Sequence, residues 1–465
     1  MVMIGPELTN GYMNQIKITP PRDGINVRIV LPSSKSICNR ALIINALAKG
    51  NGALLENLSD CDDTRVTVNA LRNMPRTIDI MAAGTAMRFL TAYLAVNEGG
   101  EHIITGTERM RQRPIKILVD ALRELGAKID FVENEGYPPL HVSGMALSGG
   151  EISLPGNVSS QYISALLMIG AVMRKGLKLT LTGEIVSRPY IDMTLSIMKD
   201  FGAEASWVEE MRADTRTFGS EELRVKSEEC RAGTRPAPTN GHTDMWAKCL
   251  EVKPKPYQPI HYYIESDWSA ASYWYEMAAL SKEARIELPG LKEKSTQGDS
   301  AIASLFAKLG VRTEFVDGCV VLTKGGHVSE RLDYDFSCQP DMAQTFVVTC
   351  AMMNVPFKFS GLQSLKIKET DRIAALITEM RKIGYVLQET DGSVLGWNGT
   401  RCTPLPHPAI DTYEDHRMAM AFAPAAIVLG ELRINNPQVV SKSYPTFWDD
   451  LTTATFNSQL ICGLF

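Results

Sequence analysis

Two patterns of apolar and polar positions recur along the 465 residues. The first reads as a β-branched strand, a glycine, a polar loop with basic residues, an amphipathic helix, then a Leu-, Phe- or Ile-Gly pair before a further strand. It runs from Ile104-Thr105-Gly106 to Leu125-Gly126 and from Leu181-Thr182-Gly183 to Phe201-Gly202. It returns from Leu288-Pro289-Gly290 to Leu309-Gly310 and from Phe359-Ser360-Gly361 to Ile383-Gly384. Glycine after a helix supplies the left-handed residue that ends it, so each closing glycine predicts a helix terminus. Those glycines stand about 75 residues apart within each pair, with a wider gap between pairs, which predicts two similar α/β halves.

The second pattern is a polar loop leading into an Ala-rich, almost wholly apolar segment. Its six starts are Ser34-Lys35-Ser36, Gly84-Thr85, Ser159-Ser160-Gln161, Asp267-Trp268-Ser269, Asp341-Met342-Ala343 and Asp415-His416-Arg417. A helix apolar all round is a buried helix, so these segments predict the cores, three helices to each half. Ser, Thr and Asp at their starts are the residues that cap helices. A helix start also presents free N–H groups and the positive end of a dipole, a natural seat for an anion. The boundary between halves is expected near residues 263–266, just before the fourth buried helix. Residues 209–257 are polar and aperiodic, with Arg235-Pro-Ala-Pro and Lys253-Pro-Lys-Pro, and read as a long surface loop or insertion.

Composition narrows the field. Hydrophobic residues make up 45% and charged residues 22%, as in a globular chain long enough for two domains. The net charge of -5 argues against a general nucleic-acid binder. Nine cysteines without a C-x-x-C pair fit a reducing cytoplasm and no metal site. Residues 1–14 lack the charge and apolar run of a signal peptide. The longest apolar stretch, 418–429, is too short to span a bilayer and contains Pro424, so no membrane association is expected.

Against that acidic background the loops entering the helices are basic: Lys35, Arg40, Arg113, Arg188, Lys366, Lys368, Arg372, Arg417 and Lys442. One such residue is ordinarily a solvated charge, but their clustering at equivalent points of a repeat predicts a site for a substrate bearing phosphate and carboxylate, or several phosphates. Asp341, Glu369 and Asp371 stand among them and could take or relay protons. His416 could carry a proton, but a lone His at a helix start is more often a structural donor. No Walker loop, G-x-G-x-x-G, HExxH or G-x-S-x-G is present, so neither a nucleotide cofactor nor those hydrolytic chemistries are indicated.

These segments resemble the 5-enolpyruvylshikimate-3-phosphate synthase family. The matching motifs are Leu31-Pro-Ser-Ser-Lys-Ser-Ile-Cys-Asn-Arg40, Ala83-Gly-Thr-Ala-Met-Arg88, Arg109-Met-Arg-Gln-Arg-Pro114 and Val158-Ser-Ser-Gln161. They continue through Ser187-Arg-Pro-Tyr190, Asp267 with Ala271-Ser-Tyr273, Lys368-Glu-Thr-Asp-Arg372 and Asp415-His-Arg-Met-Ala-Met420, in family order from about residue 16 to 450. The resemblance implies an inside-out α/β barrel fold of two domains, each of three βαβαββ units around buried parallel helices. The first domain would be 33–264 and the second 1–32 with 265–465, so that the chain crosses the hinge near 32 and 265.

The implied reaction moves the enolpyruvyl group of phosphoenolpyruvate to the 5-hydroxyl of shikimate 3-phosphate, releasing phosphate. Motif by motif, phosphoenolpyruvate would be held by Lys35, Gly84, Arg113, Gln161, Arg372, Arg417 and Lys442. Shikimate 3-phosphate would meet Ser36, Arg40, Ser159, Ser160, Gln161, Ser187, Tyr190, Asp341 and Lys368. The resemblance makes Asp341 the acceptor of the hydroxyl proton and Glu369 the donor to the methylene carbon, with Lys35 sharing proton transfer. It implies no metal or organic cofactor and a cytoplasmic monomer.

Three positions depart from the family pattern: Ala82 where Asn is usual, Phe89 after Arg88, and Ser364 where the shikimate side usually carries Asn. Ala82 and Phe89 bear on sensitivity to the inhibitor glyphosate, for which Gly84 leaves room. The sister family acting on UDP-N-acetylglucosamine is the competing enzyme, but it uses a Cys where this chain has Arg113. A binding protein that had lost catalysis would be expected to lack Lys35, Asp341, Glu369 or Arg417, and all four are present.

Overall fold

The computed structural model describes residues 14–211 and 246–462. Its apolar side chains gather into two cores. One holds residues from Ile37 to Ile264. The other joins Ile16, Ile18, Ile25, Ile29 and Leu31 to residues from Trp268 to Phe456. Strand Asn14–Thr19 lies antiparallel between Leu432–Asn435 and Asn457–Cys462, and Ile25–Arg28 runs parallel to Ala284–Pro289. The chain therefore passes from one core to the other twice. The two crossings lie side by side: Ser34 N–H donates to Glu265 O at 2.8 Å and Asp267 N–H to Pro32 O at 2.9 Å. The buried Glu265 carboxylate fixes this crossing by accepting from the Trp268 indole at 2.9 Å, Lys292 N–H at 2.9 Å and the Ser295 hydroxyl at 2.8 Å.

Among the described residues, five four-stranded sheets share one order, a parallel pair followed by two antiparallel strands. In one unit Thr77–Asp79, helix Gly84–Val96, Glu101–Thr105, helix Lys116–Glu124, Lys128–Phe131 and Leu140–Ser143 follow as βαβαββ. The sixth sheet is only the parallel pair Leu55–Glu56 and Tyr262–Tyr263. The four glycines that close the repeats, Gly126, Gly202, Gly310 and Gly384, all have φ between 79° and 102°. An L side chain rarely adopts that region. Gly126, Gly202 and Gly384 directly follow a helix C-cap, as the pattern required, whereas Gly310 lies inside strand Leu309–Val316 at a shift of register, three residues past helix Ile302–Ala307.

The six apolar segments form helices Lys35–Leu47, Gly84–Val96, Ser160–Gly170, Trp268–Leu280, Ala343–Met352 and His416–Phe422, each largely buried. Their starts differ from simple capping. Ser159, Asp267 and Asp415 accept from the N–H two residues on, as caps do. Ser34 and Ala83 make no side-chain cap bond, leaving N–H groups of Lys35–Leu47 and Gly84–Val96 unsatisfied by side chains. Asp341 sits one turn earlier, in the 3-10 turn Pro340–Met342, because Pro340 starts that turn. The run 418–429 breaks at Pro424 into Ala423–Ala425 and Ala426–Leu429. No helix among the described residues is long and apolar enough to cross a membrane.

One expectation is corrected. Within 209–257, strand Trp246–Val252 pairs with both Ala205–Met211 and Leu177–Thr182, and Cys249, Leu250, Val252 and Tyr257 are buried. This seven-residue strand is short, carries Lys248 and Glu251, and is followed at once by Pro254 and Pro256, so its apolar positions merge into the polar stretch around them. Residues 212–245, the rest of that stretch up to the strand, lie outside the described residues.

Candidate active site

The helix starts of both cores open on one cleft with about 440 Å³ of free space. From the first core come Lys35, Ser36, Arg40, Gly84, Arg113, Ser159, Ser160, Gln161, Ser187 and Tyr190; from the second come Asp341, Lys368, Glu369, Arg372 and Arg417. Lys442 alone of the expected site residues does not line it. It reaches Glu369 from a neighbouring cavity, its Nζ donating to Oε1 at 2.8 Å. Besides Lys442, two of the nine basic loop residues stay outside. Lys366 pairs with Glu389 at 2.7 Å on the surface, and Arg188 lies 4.7 Å over the Trp207 ring. Asp371 caps helix Arg372–Lys382, accepting from Ala374 N–H at 3.1 Å.

The second core's side of the cleft is an ion network centred on Arg372, whose side chain is only 2% exposed. Its Nη1 donates to Asp341 Oδ1 at 2.8 Å, Nη2 to Glu369 Oε2 at 2.9 Å and Nε to Asp415 Oδ2 at 2.6 Å. Asp341 also accepts from Arg417 Nη2 at 3.1 Å and has Lys368 Nζ at 3.4 Å. Burial alone would push the Asp341 carboxyl up, but Arg417, Lys368 and Arg372 outweigh it and hold it well below the usual range. Burial likewise acts upward on Glu369, and Lys442, Arg372 and Arg113 hold it well below. Both carboxylates are ionised at neutral pH.

The first core's side is short of acids. Arg113 makes no ion pair among the described residues. Burial first, then the neighbouring Arg88, lowers its pKa to about 10. Burial acts downward on Lys35 as well, but Asp63 at 3.5 Å, with Cys61 and Glu369, raises it overall, so it stays charged. Arg40 lies under the floor: Nε donates to Thr194 Oγ1 at 2.7 Å, Nη1 to Ser36 O at 2.9 Å and Nη2 to Ser164 Oγ at 3.1 Å. Ser159 caps its helix beside Gln161, whose Nε2 donates to Thr85 Oγ1 at 3.1 Å. A Cβ at Gly84 would stand 2.6 Å from Arg113 Nη1 and 2.8 Å from Arg88 Nη1, so only glycine leaves the two guanidiniums where they are.

Sequence reasoning passed over three contributors. Arg88 lines the cleft, hydrogen-bonded to Gly84 O at 2.7 Å; Asp63 holds Lys35; Asp415 holds Arg372. Arg88 and Asp415 lay inside matched motifs, whereas Asp63, one turn-start acid among several, carried no distinguishing signal. His416 is not the structural donor its position indicated: neither ring nitrogen has a hydrogen-bond partner. Burial, then Lys35 and Arg417, push its pKa well below the usual value, so it is neutral. The departures fall in different places. Phe89 is buried with Arg40 stacked at 5.3 Å, Ala82 borders the neighbouring cavity, and Ser364 lines the cleft.

In all, eight Lys and Arg line the cleft against Asp63, Asp341 and Glu369, in a chain of net charge -5. Such a cleft suits ligands carrying several negative charges.

A family described as EPSP synthase (3-phosphoshikimate 1-carboxyvinyltransferase) matches residues 20–81, 73–225 and 243–451. The chain belongs to this family. A 3-phosphoshikimate 1-carboxyvinyltransferase of Bacteroides fragilis is 57% identical over 436 residues, covering 94% of this chain and 97% of that one. Its counterpart in Sulfurovum sp. strain NBC37-1 is 35% identical, covering 94% of this chain and 99% of that one. The solved EPSP synthase of Acinetobacter baumannii superposes with a TM-score of 0.69 at 20% identity, over 96% of this chain and all of that one. The enolpyruvyl transferase NikO of Streptomyces tendae superposes at 0.66 with 14% identity, over 98% of this chain and all of that one. The fold is thus that of the two-domain enolpyruvyl transferases, with βαβαββ units around buried helices. The sequence neighbours make this chain an enzyme of the shikimate pathway, which leads to the aromatic amino acids.

Proposed function

We propose a division of labour by which this chain performs its family's reaction, transfer of the enolpyruvyl group of phosphoenolpyruvate to the 5-hydroxyl of shikimate 3-phosphate with release of phosphate. Phosphoenolpyruvate is held by Lys35, Gly84, Arg113, Gln161, Arg372, Arg417 and Lys442. Shikimate 3-phosphate is held by Ser36, Arg40, Ser159, Ser160, Gln161, Ser187, Tyr190, Asp341 and Lys368. The observation that carries this reading is the shared guanidinium: Arg372 meets both Asp341 and Glu369 within 2.9 Å, so one cation governs two candidate proton carriers.

In the empty cleft both acids are ionised. An incoming phosphoenolpyruvate offers its own phosphate and carboxylate to Arg372, Arg417 and Lys442, and each cation it engages holds the protein's acids less strongly. The pKa of Glu369 then rises, which lets it bring a proton to the methylene carbon. Asp341 becomes a stronger base for the 5-hydroxyl, and Lys35 completes proton transfer. The tetrahedral intermediate stays within the same cations, whose fixed positions favour it over the ground state. Having given up its proton while its cations are engaged by the ligand, Glu369 is a carboxylate of raised basicity, and it takes a proton back from the same carbon as phosphate leaves. Departure of phosphate then returns its cations and resets it.

Domains 33–264 and 1–32 with 265–465, turning about the paired crossings near 32 and 265, close on the two substrates. The mutual repulsion of cations facing one another across an empty cleft makes closure ligand-driven. The enzyme acts as a cytoplasmic monomer without metal or organic cofactor. Arg113 in place of a reactive Cys, and the Lys368-Glu-Thr-Asp-Arg372 element, favour shikimate 3-phosphate over a nucleotide sugar.

The test is phosphate release from phosphoenolpyruvate with each acceptor. Release that requires shikimate 3-phosphate supports the reading. Release that ignores it, or that needs UDP-N-acetylglucosamine, overturns it.

A further inference from the structure

Two residues assigned to the shikimate side, Ser187 and Tyr190, sit on the turn that starts helix Arg188–Asp200 in the first core. Ser187 has φ 55° and ψ 34°, a left-handed conformation uncommon for a residue with a Cβ. It is held there against the other core, where Ser337 O accepts the Ser187 N–H at 2.9 Å. Beside it, Pro189 packs directly on the Cα of Gly298. A Cβ built on Gly298 would overlap Pro189 Cβ and lie 3.0 Å from its Cγ. A proline ring cannot rotate away as a long side chain would. Gly298 is in turn tied to the crossing between cores through its neighbour Gln297, which donates Nε2 to Ser266 O at 2.8 Å and accepts Trp268 N–H at 3.1 Å.

We infer that Gly298 is a positioning residue for the acceptor substrate: lacking a side chain, it admits Pro189 when the domains close, and so lets Ser337 lock Ser187 and Tyr190 into the cleft. The inference rests on the preceding assignment of those two residues and on closure about the paired crossings. Neither Gly298 nor Pro189 lines the cleft, so their effect on substrate passes through the turn. Because saturating substrate offsets a closure penalty, the penalty appears in apparent affinity rather than in turnover.

The experiment compares wild type, Gly298→Ala, Pro189→Gly and the double variant by steady-state phosphate release, and by small-angle scattering with increasing shikimate 3-phosphate. Gly298→Ala is expected to raise KM for shikimate 3-phosphate about tenfold or more, the scale of a forced overlap, with kcat within about twofold. Its scattering should need correspondingly more ligand to compact. In the double variant the overlap is gone, and KM should return to within about threefold of Pro189→Gly alone. A Gly298→Ala enzyme with wild-type KM and wild-type compaction overturns the inference. So does a raised KM that Pro189→Gly fails to relieve, or loss of the fold in the absence of ligand, since the methyl would then clash in the resting state. A wild type that needs no shikimate 3-phosphate would instead overturn the assignment of function, and the two failures are told apart by the wild-type assay.

Discussion

Glu369 and Lys442 meet at 2.8 Å, and Lys442 is the largest of the cations holding the Glu369 carboxyl down. Lys442→Met keeps the stem and removes the charge, so Glu369 should titrate at higher pH and the kcat/KM profile for phosphoenolpyruvate should move up with it. Truncating one member of a buried charge pair costs about 2 kcal/mol or more, so KM for phosphoenolpyruvate should rise on the order of 30-fold. A profile unmoved on the pH axis would separate Lys442 from Glu369.

Glu369→Gln tests the proton donor. The amide keeps the shape and a hydrogen bond to Arg372 or Lys442 but has no acidic proton to give. Turnover should fall by roughly 10² to 10⁴ while KM for either substrate changes only a few fold. Weakened binding with unchanged kcat would assign Glu369 to substrate positioning instead.

Gly84→Ala places a methyl 2.6 Å from Arg113 Nη1. The atoms it meets are the ends of flexible side chains, so the fold should tolerate it and the guanidiniums should shift. Displacement of a substrate clamp by about 1 Å can cost on the order of 10²-fold in rate, so kcat/KM for phosphoenolpyruvate should fall by about tenfold or more. Inhibition by glyphosate should weaken in parallel, with the thermal midpoint nearly unchanged. Wild-type kcat/KM in this variant would show that Arg113 is not part of the clamp.

Asp299 supplies a pH signature in stability. Burial, opposed by Arg417 and the Ser269 hydroxyl, pushes its carboxyl up from 3.8 to about 6. The folded chain therefore keeps a proton that the unfolded chain has already released. This contribution to stability is lost as pH rises from about 4 to about 6, amounting to roughly 3 kcal/mol, and is constant above. Asp299→Asn does not titrate, so the difference in unfolding free energy between pH 4.5 and pH 7.5, from urea titrations, should depart in the variant from the wild-type difference by about 2 kcal/mol, because pH 4.5 already lies above the unfolded-state pKa. Asp341 and Glu369 work in the opposite sense: their depressed carboxyls stabilise the fold above the ordinary carboxylate range and lose that effect only in stronger acid. Identical pH dependence in wild type and Asp299→Asn would place the proton elsewhere.

Much of the fold could be read from residues alone, because the interactions responsible are local. Three of the closing glycines end helices by backbone conformation, which belongs to one residue, and all four proved left-handed. The six apolar segments had no polar face to turn to water, so burial was their only outcome. Strand Trp246–Val252 escaped notice because its place in a sheet depends on two distant partners, Ala205–Met211 and Leu177–Thr182, and not on its own short run of residues. Ser34 and Ala83 show the same limit at the scale of a cap, since whether a hydroxyl or an N–H is used depends on what faces it.

For the site, sequence by itself determined the inventory: which cations, which acids, and that helix starts carry them. Motif order named the family, as the comparisons then found. Only the tertiary structure decided which charges share a partner. Arg372 joins Asp341, Asp415 and its near neighbour Glu369 across 31, 43 and 3 positions of chain, and Coulomb interaction depends on separation in space. For the same reason Lys442 and Asp63 take part while Lys366 and Arg188, equally basic and equally placed in loops, remain on the surface. The contact between Pro189 and Gly298 is the extreme case: the absence of a side chain has no meaning until another chain segment arrives against it.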